Sequence, residues 1–176
     1  MNILESEKVI LKLIEKVDLA FLMELRQRKE VCEWIVSEPL TAEKQEKWFS
    51  ELKDNELYFV IISASDGSSV GQIGLFDINR QHQRARWTLR IHPDHWKKGY
   101  AKEAMKIFFD YVFNILNLNK ISGDCFIENK AEVENLKRAG FKEEGYWEDH
   151  YFHKGKFRDA INFAMTKKDY ENTFLL

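Results

Sequence analysis

Along residues 83–91 the chain alternates without a break. Ala85, Trp87, Leu89 and Ile91 fall on one side, and Arg84, Arg86, Thr88 and Arg90 on the other. A period of two is what a strand with two unlike faces requires. Shortly afterwards the period lengthens. Ala101, Ala104, Met105, Phe108, Val112, Ile115 and Leu116 recur at the spacing of a long helix with one apolar face. The turn between strand and helix reads His92, Pro93, Asp94, His95, Trp96, Lys97, Lys98, Gly99.

The other elements follow from the same two periods. Residues 8–13 alternate weakly and predict a first strand, after which Asp18 is placed to cap a helix carrying Leu19, Leu22, Met23 and Leu25. Residues 26–38 are mixed and end at Pro39. Thr41 caps a second, highly charged helix to about residue 53, with Trp48, Phe49 and Leu52 as its buried side. Residues 57–62 are continuously apolar, as in a strand covered on both faces. Asp66, Gly67, Ser68 and Ser69 form a turn before a strand over 70–78. Beyond the long helix come a strand over 118–127 broken at Gly123, a short helix over 131–139 closed by Gly140, and strands over 141–152 and 157–165. The order is β-α-α-β-β-β-α-β-α-β-β. It predicts an antiparallel meander, then a crossover helix between two parallel strands, in one domain spanning residues 1–176.

Composition narrows the class. A chain of 176 residues with 44% hydrophobic and 14% aromatic content can bury a sizeable core. A net charge of −2 gives no general attraction to nucleic acid. No apolar stretch approaches the ~20 residues that span a bilayer, and the first residues lack a basic-then-apolar leader. Cys32 and Cys125 stand alone, without metal-ligand spacing, as reduced thiols of a cytoplasmic protein do.

The strand-to-helix turn has chemistry of its own. The first N–H groups of a helix lack internal partners and carry partial positive charge. Gly99 permits close approach to the main chain, and Lys97 and Lys98 add charge. Together these suit a phosphate or diphosphate. The alternative is a glycine that merely eases the turn beside two solvated lysines, and the stretch alone does not choose.

Residues 97–101, with Lys102, Glu103 and Ala104 following, resemble the acetyl-CoA-binding motif of the GNAT acetyltransferase superfamily, Q/R-x-x-G-x-G/A. Gly99 and Ala101 hold its small-residue positions, and Trp96 replaces the leading Gln or Arg. That departure resembles the branch with ribosomal-protein N-terminal and small-amine acetyltransferases. Asn129, Gly140, Phe141, Glu144, Gly145, Gly155 and Asp159 also stand where that branch usually has them. Residues 113–121 look similar to bacterial spermidine acetyltransferases. The resemblance covers nearly the whole chain. It implies an α/β (α+β) GNAT fold, with a mixed central sheet of about seven strands and about four helices on both faces.

The resemblance also implies acetyl transfer from acetyl-CoA, as co-substrate and without a metal, to a primary amine by direct attack in a ternary complex. The cofactor would be held by Lys97, Lys98, Gly99, Tyr100 and Ala101, by the main chain of Leu89, Arg90 and Ile91, and by Asn129. Many GNAT enzymes place a tyrosine general acid where this chain has Leu136. Tyr146 or Tyr100, or solvent, would then return the thiolate's proton. Glu33, His82 and the Asp149–His150 pair are candidate bases, with Glu33 and Tyr146 set down as the catalytic pair. Asn129 and Glu132 together have the form of a helix capping box. His150 and His153 read as ordinary exposed histidines, and Asp159 as an anchor of the last hairpin or a substrate contact.

For the acceptor, two charge sets compete. Trp34, Trp48, Trp87 and Trp147 with Arg26, Arg84, Arg86 and Arg90 would suit a partly anionic molecule such as an amino-sugar nucleotide, although most of those tryptophans read as core. Glu33, Glu38, Glu143, Glu144 and Glu148 would suit a polyamine or a peptide N-terminus. The expected partner is a small-molecule amine, with no nucleic acid and no membrane, and a homodimer stays open. A protein N-terminal acetyltransferase and a non-catalytic acyl-CoA-binding module are the alternatives.

Overall fold

The structure is a computed structural model and describes residues 3–35 and 40–174. Its centre is an eight-stranded sheet in the order β1-β2-β3-β4-β5-β6-β8-β7. The strands are β1 (Ile3–Glu5), β2 (Val9–Leu13), β3 (Leu57–Ser63), β4 (Ser69–Asn79), β5 (Arg84–Ile91), β6 (Lys120–Phe126), β7 (Lys142–His153) and β8 (Lys156–Thr166). Every neighbouring pair is antiparallel except β5 and β6. The strand beyond the expected seven is β1, whose three residues are too few to show a period.

Six α-helices are described: α1 (Leu19–Gln27), α2 (Lys29–Cys32), α3 (Ala42–Ser50), α4 (Tyr100–Asp110), α5 (Lys130–Arg138) and α6 (Lys167–Phe174). Two exceed the expected four. α2 is a single turn inside the mixed segment, and α6 is polar enough to hide its period. Thr41 caps α3 as expected, its side chain accepting the Lys44 N–H at 3.2 Å. Asp18 does something different. Its carboxylate takes the Glu15 N–H at 2.8 Å and the Lys12 ammonium at 3.1 Å, closing the turn before α1 rather than capping the helix.

Consecutive residues of β3 show the layering. Phe59 points to α4, with its ring 5.9 Å from that of Phe108. Tyr58 points the other way, to α3, 5.3 Å from Trp48. The α4 face carries the larger core, where Phe108, Phe109, Val112, Phe113, Ile73, Leu75 and Phe163 are fully buried. Each such side chain contributes roughly 1.5–3 kcal/mol against exposure. α4 passes into a π turn at Tyr111–Ile115. That turn shifts the helical phase and leaves Ile115, expected on the buried stripe, 61% exposed.

Candidate active site

The parallel pair at the centre is short. β5 and β6 are in register at only three positions, Arg84 with Lys120, Ala85 with Ile121 and Arg86 with Ser122. Further along, residues 87–91 stay bonded to β4, and residues 123–126 to β8. The strands part where the bulk changes. The Trp87 indole stacks on Phe141 at 5.0 Å and meets Phe109 edge-on at 5.2 Å. Gly123 lies beside it, and a Cβ there would stand 3.1 Å from Trp87 Nε1. The parting leaves one edge of Leu89, Arg90 and Ile91 without a strand partner. Main-chain polar groups on such an edge need a ligand or water. One is already used, since Trp96 Nε1–H donates to the Ile91 carbonyl at 2.7 Å. Trp96, the departure from the motif, thereby ties the turn to the end of β5.

At the turn itself a short 3-10 helix (Pro93–His95) precedes Gly99, whose φ of 82° is left-handed, and Lys97 also has a positive φ of 61°. No side chain caps the N-terminus of α4, so its first amides are free for a ligand. Tyr100 and Ala101 open the helix, and the Tyr100 hydroxyl donates to Ser63 Oγ at 3.2 Å. Lys97 and Lys98 are exposed. A third cation arrives from the β1–β2 turn: Lys8 Nζ lies 5.5 Å from the centre of the Tyr100 ring and 3.1 Å from where a Gly99 Cβ would be. Nothing in the pattern signals Lys8, because the contact spans most of the meander.

The groups suited to proton transfer are more dispersed. Asn129 caps α5, accepting the Glu132 N–H at 3.3 Å. Burial pushes the Glu132 carboxyl above its ordinary range, against a hydrogen bond from Asn135. Leu136, one turn later, is buried in the core. Tyr146 is 55% exposed and donates to Asp159 Oδ2; that bond, chiefly, pushes the phenol up to about 12. Asp159 also accepts the Asp149 N–H at 2.9 Å, so it pins a bulge in β7 between Trp147 and Tyr151. His150 lies in that bulge, its ring 4.4 Å from Trp147. His82 sits in the β4–β5 turn, at the opposite end of β5 from Ile91.

Glu33 accepts from Lys154 at the tip of the β7–β8 hairpin, and this ion pair holds its carboxyl below the usual range. His153 Nε2 lies 3.1 Å from the Glu33 carbonyl oxygen. Beside them opens a cleft of about 440 Å³, lined by Lys29, Glu30, Glu33, Trp34 and Trp96. It joins the α1–α3 connection to the turn before α4, where His92 Nε2 stands 3.4 Å from Glu24 and Arg28 is 3.5 Å from Asp94. Glu38 lies outside the described residues. Glu143 and Glu144 are paired with Lys137 (2.8 Å) and Lys120 (2.5 Å).

Residues 8–142 match the acetyltransferase (GNAT) domain family. The chain belongs to the GNAT acetyltransferases. Among curated relatives, it is 30% identical over 168 residues to the spermidine N(1)-acetyltransferase of Escherichia coli K12, covering 94% of this chain and 89% of that protein. It is 27% identical over 169 residues to the enzyme of the same name from Vibrio cholerae, covering 95% and 98%. A solved structure of the Vibrio cholerae spermidine N-acetyltransferase in complex with CoA and spermine superposes with a TM-score of 0.87 at 27% identity, covering 94% and 99%. As a GNAT enzyme the protein is an acetyl-CoA-dependent N-acetyltransferase. Its geometry fits that co-substrate: the amides opening α4 and three lysines suit a diphosphate, and the unpaired edge of β5 suits the amides of a pantetheine arm.

Proposed function

We propose that this GNAT enzyme acetylates a primary amine of a small molecule, either a polyamine or an amino sugar, by direct attack within a ternary complex. The carrying observation is the parting of β5 and β6 after three residue pairs, directly before the lysine-rich entrance to α4. Acetyl-CoA supplies an activated thioester. Lys8, Lys97, Lys98, Gly99, Tyr100 and Ala101 hold its diphosphate, the main chain of Leu89 and Ile91 aligns the arm, and Asn129 borders the far side. A free N–H on that edge also stabilises the oxygen that gains charge as the amine attacks. Holding both reactants in one cleft accounts for much of the rate, up to ~7–11 kcal/mol in favourable cases.

Proton handling relies on water more than on one side chain. An ammonium with a pKa near ~10 must lose a proton before attack. Glu33, kept ionised by Lys154, orders water in the cleft and is too weak a base to strip that proton alone. Tyr146, with its proton held toward Asp159, is a poor donor to a thiolate, while Glu132 is the carboxyl whose burial favours keeping a proton. The reduced thiols of Cys32 and Cys125 suit the cytoplasm.

A second reading, a module that binds acyl-CoA without turnover, is favoured by Leu136 alone. Thiol release from acetyl-CoA across a panel of polyamines and amino sugars separates the two. Release that rises with amine and saturates in both reactants is expected. Release no faster than enzyme-free hydrolysis, with CoA still bound, would leave only the binding module.

A further inference from the structure

Four arginines and a set of glutamates bore on the acceptor in the sequence, and the structure treats them unequally. Of the glutamates described, Glu33, Glu143 and Glu144 are each paired with a lysine, and Glu148 is exposed on β7. Of the arginines, Arg84 is exposed, and Arg86 is paired with Asp124, which also accepts the Tyr151 hydroxyl at 2.6 Å. Arg26 and Arg90 remain. Neither has a carboxylate within 4.0 Å among the described residues.

Arg26 is in the last turn of α1, where its guanidinium donates to Gln45 Oε1 at 3.3 Å. Arg90 belongs to the unpaired stretch of β5, and its side chain leaves that strand toward α1 and α3, on the face opposite Leu89 and Ile91. Its Nε is buried and has no hydrogen-bond partner. Gln72 stands opposite Arg90 in register on β4, with Oε1 buried and unpartnered, and Gln45 Nε2 is also unpartnered. Burial, and then the neighbouring Arg26, pull the Arg90 guanidinium down to about 10. Burial lowers Arg26 as well. Tyr58 beside them is pushed up to about 12, chiefly by burial, and stays neutral. Two like charges therefore stand on the α1–α3 side of β5 beside unpartnered amide groups, with no counter-ion among the described residues. A guanidinium fork matches a carboxylate or phosphate in two parallel hydrogen bonds.

We propose that Arg90 and Arg26 bind an anionic group, a carboxylate or a phosphate, carried by the acceptor itself. This rests on the amine-acetylating reading above and narrows it: the acceptor is an amine with an acidic group near the attacking nitrogen. Because Arg90 lies between Leu89 and Ile91, whose main chain flanks the thioester arm, an anion on its side chain brings the amine of the same molecule to the reacting carbon. An all-cationic polyamine would meet two positive charges there.

The test uses matched acceptors that differ only in the anion: beta-alanine against beta-alaninamide, and glucosamine phosphate against glucosamine, with spermidine as the all-cationic member. The carboxylate pair and the phosphate pair tell which anion the site takes. In the parent, the anionic member of at least one pair is expected to have the higher kcat/KM by about tenfold or more. Arg90→Met and, separately, Arg26→Gln bring that ratio to near unity. An independent readout needs no turnover. Arg90→Met removes an uncompensated buried charge, so the ligand-free protein gains about 2–4 °C in Tm. Equal kcat/KM within both pairs, or a fall in Tm for Arg90→Met, overturns the proposal. If no amine speeds thiol release at all, the reading beneath it fails instead, and the inference falls with it.

Discussion

At the entrance to α4 a ligand meets main-chain amides, a left-handed glycine and three lysines; on the α1–α3 face of β5 it meets side chains whose charges are partly cancelled. The first region is set by backbone geometry, namely Gly99 at φ 82°, an uncapped helix start and a strand edge without a partner. The second is set by which charges find each other in the fold, Glu33 with Lys154 or Arg86 with Asp124. Backbone-built sites tolerate changes of side chain and fail when the main chain is moved. Side-chain sites behave the opposite way, and their specificity rests on the few groups left without partners.

The sharpest way to break that contrast is Gly99→Val. A β-branched residue at a positive φ stores ~1–3 kcal/mol of strain and re-aims the helix-opening amides. The affinity for CoA is expected to fall at least about 100-fold by calorimetry, while far-UV dichroism and a cooperative melt persist. Parental affinity in a folded variant would remove the diphosphate from this turn.

Leu136→Tyr has a smaller effect and addresses the proton route. Leu136 is 6% exposed within the α4-side core. A larger ring with a hydroxyl overpacks that site, so stability falls by about 1–3 kcal/mol and kcat does not rise. A rise in kcat would show that the position opens on the thiol after all.

The unequal legibility of the two regions has the same origin. The strand over 83–91, the turn through Gly99 and the helix from Tyr100 are local features, so period and residue type reveal them, and Trp96 then explains itself by its bond to Ile91. The capping of α3 by Thr41 and of α5 by Asn129 was equally local. What stayed hidden joins residues far apart in the chain. Lys8 reaches Gly99, Lys154 reaches Glu33, and Asp124 reaches Arg86. The four arginines look alike as letters; only the fold shows that Arg86 is answered and that Arg90, among the described residues, is not. Two local features also escape the pattern, for local reasons. The three residues of β1 and the π turn at Tyr111–Ile115 fall below or across the period that would announce them.

Lys8→Ala tests the long-range member of the backbone-built region. One ammonium beside a diphosphate in a solvent-open site is worth about 0.5–1 kcal/mol, so CoA affinity should fall about two- to fivefold, and its salt dependence should flatten. An unchanged affinity at low salt would place the diphosphate away from the Lys8 side of the turn.

The smallest effect is expected at Glu33, and it bears most directly on the contrast. Glu33 borders the cleft, yet its carboxylate is already bound to Lys154 in a half-exposed ion pair. A pair this open to solvent contributes little to stability, so Glu33→Gln should leave stability nearly unchanged. Lys154 already cancels most of its field, so kcat/KM for any amine should move by no more than about threefold. The sign of the pKa shift sharpens this. The Lys154 pair lowers the Glu33 carboxyl, so it is ionised throughout the neutral range and cannot set an acid limb in a pH–rate profile near neutrality. Parent and variant should therefore share one profile between about pH 6 and 9, offset by a constant. A limb near neutrality that vanishes in Glu33→Gln, or a loss of kcat beyond about a hundredfold, would make Glu33 the base and move the acceptor's ammonium away from the arginines and into the acidic cleft.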